Sequence, residues 1–186
     1  MNDKIKSQQT LQMKSSSLIF ASFLRIVLTY LLLYKTKIPL YMKILLIITA
    51  IDSIDCTIRH IVTNYKYEWD CDKELYQKTD KITDTIISVL LLVYVQSTKH
   101  FDKSLLNIIT FLLFFRMIGT TLFLFSNNRK YLIYFPNFFS ELILLGAIFN
   151  AFNIKNKMPF YIVLIVGKML QEFYLHYKRN VVEKNN

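Results

Sequence analysis

The chain alternates long runs of Leu, Ile, Phe, Val and Tyr with short polar connections. Six such runs follow one another, at about 17–34, 40–62, 80–96, 105–125, 131–152 and 159–177. They are too long for strands. A helix rising about 1.5 Å per residue needs roughly 20 apolar residues to cross the hydrocarbon layer of a bilayer. The pattern therefore predicts an all-α polytopic membrane protein with six transmembrane helices. A polar segment, 1–16, precedes a single six-helix membrane domain, 17–177, and a polar tail, 178–186, follows it. The opening segment lacks the apolar core and small-residue cleavage site of a signal peptide. Punctuation agrees with these boundaries: Asn127 and Asn128 read as a turn, Pro136 predicts a kink in the fifth span, and Pro159 suits the first turn of the sixth.

Acidic residues break the pattern in one region. Asp52 and Asp55 follow the apolar run 44–51, and Asp80 and Asp84 precede the apolar run 86–95. The first pair stands three apart and the second four apart, so each pair shares a helix face. On a regular helix Asp52, Asp55, Cys56 and Arg59 fall within an arc of about 100°, with His60 turned about 80° from Asp52. An Asp at the centre of a membrane helix costs roughly 2.5–3.5 kcal/mol, so four at full cost would approach about 10 kcal/mol or more, comparable to the stability of a domain. The expectation is that these carboxylates sit at a wet membrane interface, face one another and surround a metal ion. The plainer reading pairs them with Lys66, Lys78 or Lys81 at helix ends.

Composition supports the membrane class. Apolar residues make up 53% of the chain and mean hydropathy is +0.31, more than a single water-soluble core of 186 residues requires. The net charge of +10 follows from topology, because Lys and Arg collect in the connections. Six spans put both termini on one side. Outside the apolar cores that side carries thirteen Lys and Arg: three in 1–16, five in 59–81, two at 129–130 and three in the tail. The opposite side carries seven, so the termini and the carboxylates are expected in the cytosol. No basic helix face or stacking platform marks a nucleic-acid partner. Cys56 and Cys71 form neither a zinc pattern nor a disulfide framework and read as free thiols. Arg25, Arg116, Glu141 and Lys168 interrupt apolar spans, where such groups face a bundle interior or a polar cavity. Glu141 can pair with Arg116 or Lys168; alternatively, Arg116 or Lys168 reaches a substrate phosphate.

The order Asp52-x2-Asp55 and then Asp80-x3-Asp84, across the second and third of six spans, resembles the CDP-alcohol phosphatidyltransferase family. That family's signature is D-x2-D-G-x2-A-R-x8-G-x3-D-x3-D, and its members are six-span homodimeric enzymes of phospholipid synthesis. The specific part of the resemblance is confined to residues 52–84. Several positions depart from the signature. Its glycines are Cys56 and Tyr76 here, its alanine is Arg59, its arginine is His60, and the connection from His60 to Asp80 is seven residues longer. Glycine lets a ligand approach the backbone closely, and both replacements add bulk.

The resemblance implies that Asp52, Asp55 and Asp80 bind Mg²⁺ or Mn²⁺, with Asp84 at the same centre as general base. Arg59, Cys56, Tyr76 and His60 would line the phosphate and nucleotide pocket. The implied reaction transfers a phosphatidyl group from CDP-diacylglycerol, or a phosphoalcohol from a CDP-alcohol, to an acceptor alcohol within the lipid bilayer, releasing CMP. Two rivals stand beside it: an inactive membrane scaffold or lipid-binding protein of the same fold, and a transporter whose intramembrane acids carry protons or cations. The charge distribution yields a first testable expectation. Cysteine-accessibility mapping in intact membranes should find both termini and the 64–78 connection on the cytosolic side. Labelling of that connection from the lumenal side would reverse the orientation.

Overall fold

The computed structural model describes residues 2–54, 57–58, 74–155 and 157–182. Among them every regular element is helical and no strand occurs. The helices are α1 (Asn2–Lys35), α2 (Leu40–Leu46), α3 (Glu74–Ser97), α4 (Lys103–Ser126), α5 (Lys130–Tyr134), α6 (Phe139–Ala151) and α7 (Met158–Val182). A π-helical segment, Ile47–Ile51, continues α2 directly.

Among the described residues, three stretches are long and apolar enough to cross a membrane: Ser16–Lys35, Lys103–Ser126 and Lys130–Ala151. Leu40–Ile51 and Met158–Gln171 are apolar but shorter. The second half of α3 is apolar too, but its run 86–95 covers only about 15 Å at the helical rise. The surface of α4 shows where this apolarity goes. Ile108, Phe111, Phe114, Ile118, Leu122 and Phe125 recur at helical spacing and are exposed, while Ile109, Leu113, Thr120 and Phe123 are buried. In water an apolar face of that size would be a liability; against lipid it is the expected surface.

The chain divides into two compact units, Met1–Lys37 with Leu45–Ile87, and Ile38–Ile44 with Ser88–Asn186. In the first, α1 packs against the π segment. Ser17, Ala21, Arg25 and Thr29 recur every fourth residue of α1 and are all buried, a mostly small ridge that permits close helix approach. Helix α1 begins at Asn2, so the 1–16 segment continues the first span's helix. Likewise α3 begins at Glu74, six residues before the expected span, and Lys78 pairs with Glu74 across one turn at 2.8 Å.

In the second unit, Asp102 caps α4 by accepting from the Leu105 backbone N–H at 3.1 Å. Asn127 ends the same helix in the left-handed conformation (φ 55°), as its place in a turn suggests. Buried Lys43 donates to the Tyr94 hydroxyl at 2.9 Å and lies 4.8 Å from that ring's centre. Phe149 meets the rings of Phe160 and Tyr161 edge-on, joining α6 to α7.

The expected kink in the fifth span is a full break between α5 and α6. Pro136 has no N–H to offer the Leu132 carbonyl four residues back. Arg116, from α4, supplies the missing donor: its Nη1 reaches the Leu132 oxygen at 3.3 Å and the Phe135 oxygen at 2.6 Å. Of the roles considered for Arg116, pairing with Glu141 is thus replaced by satisfying the carbonyls at this break. The break also brings Phe135 onto Gly119, where an added Cβ would lie 2.2 Å from the Phe135 Cβ. Backbone-anchored atoms at that distance cannot step aside. Gly119→Ala is therefore expected to destabilise the protein by about 1–3 kcal/mol, the usual range for overpacking. Thermal unfolding in detergent would check this, with Gly167→Ala as the control, because no atom lies within 4 Å of its added Cβ.

Candidate metal centre

The local sequence explains how Asp52 is delivered. Thr49 donates its hydroxyl to the Leu45 carbonyl at 2.8 Å, Ser53 to Ala50 at 2.9 Å and Thr57 to Ser53 at 3.0 Å. Such back-bonding competes with the regular ladder and bends helices. Here the ladder widens, and the Asp52 N–H bonds to the Ile47 carbonyl five residues back at 3.2 Å. One extra residue in the turn re-aims everything after it. Asp52 leaves the π segment more than half exposed, while Asp80 and Asp84 project from one face of α3 and are part-buried.

These three carboxylates converge, with one oxygen from each lying within 4.8 Å of the others. Arg25 of α1 is seated among them. Its Nη2 donates to Asp52 Oδ1 at 2.5 Å and to Asp84 Oδ1 at 2.8 Å, and its Nη1 to Asp80 Oδ1 at 3.0 Å. Lys81 donates to the remaining oxygens of the α3 pair, at 2.8 Å to Asp80 Oδ2 and 3.1 Å to Asp84 Oδ2. Arg25 is 1% exposed. An arginine so buried stays charged, and without carboxylate partners its desolvation would be prohibitive.

The donor set fits a hard divalent cation, because three carboxylates supply the oxygen ligands such ions prefer and converge closely enough to share one. Among the described residues they bring three formal negative charges against the two positive charges of Arg25 and Lys81, leaving one negative charge for an added ion to meet.

The structure thus brings Asp52, Asp80 and Asp84 together and adds Arg25, which the sequence flagged only as an interruption of the first span. Lys81 takes the pairing role considered for it, whereas Lys78 turns to Glu74. Tyr76 lies within α3, one turn before Asp80. Asp55, Cys56, Arg59 and His60 lie outside the described residues. The other charges that interrupt apolar runs find partners in the second unit. Lys168 of α7 donates to Glu141 Oε1 of α6 at 2.6 Å, one of the two pairings the sequence allowed. No family model matches the chain, and no curated protein or solved structure matches it either.

If the carboxylates share a cation, Asp→Asn at Asp52 or Asp80 should each weaken Mn²⁺ binding measured by electron paramagnetic resonance. Binding to the unaltered protein should also weaken as pH is lowered, because a protonated carboxyl no longer ligates. Unchanged affinity in both variants would remove the site.

Proposed function

We propose that the protein is a divalent-metal-dependent transferase of substituted phosphate groups, acting at the membrane on a CDP-linked lipid or alcohol and releasing CMP. The observation that supports this most is the meeting of Asp52 with Asp80 and Asp84, from separate helices, in a chain of apolar spans. The proposal includes the six-span arrangement, the homodimer and the cytosolic placement of the site.

Asp52, Asp55 and Asp80 would hold Mg²⁺ or Mn²⁺. Bound there, the ion supplies counter-charge for a pyrophosphate and its leaving group. Asp84 takes the hydroxyl proton of the acceptor alcohol as that oxygen forms its bond to phosphorus, while the phosphorus–oxygen bond to CMP breaks. Arg59 and His60 would contact the phosphates, and Cys56 and Tyr76 would border the nucleotide. The low-dielectric surroundings strengthen each of these charge interactions.

One observation favours a second reading. Both oxygens of Asp80 and of Asp84 already accept from cationic side chains, as they would in an inactive scaffold that keeps the cluster for stability. Turnover and binding separate the two readings. Asp84→Asn preserves shape and polarity, so CDP-diacylglycerol binding should survive while CMP release falls about 10²–10⁴-fold. Asp80→Asn should impair both. Wild-type protein that binds neither CDP-diacylglycerol nor CDP would favour the scaffold, with Cys56 and Tyr76 as the obstruction.

A further inference from the structure

The guanidinium of Arg25 and a divalent cation call on the same carboxylates. We propose that Arg25 is a resident counter-ion that competes with the divalent cation, so that loading the centre requires the guanidinium to withdraw from Asp52, Asp80 and Asp84. The inference rests on the metal-dependent reading above and concerns how that site is kept before it is loaded.

Geometry carries it. One nitrogen, Nη2, lies 2.5 Å from Asp52 Oδ1 and 2.8 Å from Asp84 Oδ1, so it fills the space between these two oxygens. The other, Nη1, engages Asp80 at 3.0 Å. An ion held by the Oδ1 atoms of the same three residues would stand where the guanidinium stands, and the guanidinium cannot shed its charge to make room. Two cations in contact inside a part-buried cluster repel strongly. Lys81 differs in kind. It neighbours both acids on α3 and donates to their Oδ2 atoms, whereas Arg25 engages their Oδ1 atoms.

The test uses the full-length protein in detergent or lipid discs, with Mn²⁺ alone as the probe. Arg25→Gln should bind Mn²⁺ about tenfold or more tightly than wild type, because the competing charge is gone. Without metal it should melt below wild type, and Mn²⁺ should raise its Tm by more than it raises the wild-type Tm. Arg25→Lys, whose single ammonium cannot bridge three carboxylates, should shift both readouts in the same direction by less, and it serves if the Gln variant does not fold. Wild-type binding with equal or weaker affinity in both variants would overturn the inference while leaving the metal site standing, with Arg25 as an organiser of the ligands. Absence of Mn²⁺ binding in wild type and variants alike would overturn the metal reading and this inference with it.

Discussion

Everything in the first unit is arranged around one charged group in an apolar helix. Arg25 sits in the middle of a stretch that otherwise suits lipid, and it is almost wholly shielded from solvent. A permanent charge in that position is costly unless opposite charge meets it at hydrogen-bonding distance. The three aspartates meet it, at 2.5–3.0 Å. Their own presence in apolar surroundings is made tolerable by the same contacts. Arginine and acids are each other's reason for being there, and the small ridge of Ser17, Ala21 and Thr29 allows α1 to come close enough for the contacts to form.

How much of this was legible in the sequence depends on the range of the interaction. The helical class follows from run lengths alone, and the Asp80–Asp84 pair follows from spacing, since four residues is one turn wherever the helix is placed. The convergence of Asp52 with that pair was expected on the cost of isolated intramembrane acids. The partner was not. Arg25 could have been found by asking where the charge needed to balance 52–84 comes from, because an arginine within an apolar span demands an acid just as those acids demand a cation. Helical spacing cannot supply the answer: residues 25 and 84 are 59 apart in the chain.

Two local features show where pattern reading ends. A wheel drawn for a regular helix places Asp52 by counting 100° per residue, and the π segment adds a residue to one turn and invalidates the count. Nothing in 47–53 announces it beyond the hydroxyls of Thr49 and Ser53, residue types common in ordinary helices. Pro136 was visible as a perturbation, but its severity was not. Whether a proline bends or severs a helix depends on what its neighbours offer the freed carbonyls. Here Arg116 satisfies them and makes a complete break tolerable.

The π segment gives the aspartate cluster an uneven kind of fragility. Its position is encoded in chain length as well as in side-chain identity. The Asp52 N–H closes its turn on the Ile47 carbonyl five residues back. With one residue removed between them the same two groups would close an ordinary four-residue turn, and Asp52 would keep its face relative to α2. The regular turns of α2 hold no such spare residue, so a deletion there would rotate Asp52 by about 100° and carry it away from Asp80 and Asp84 with every acid and Arg25 intact.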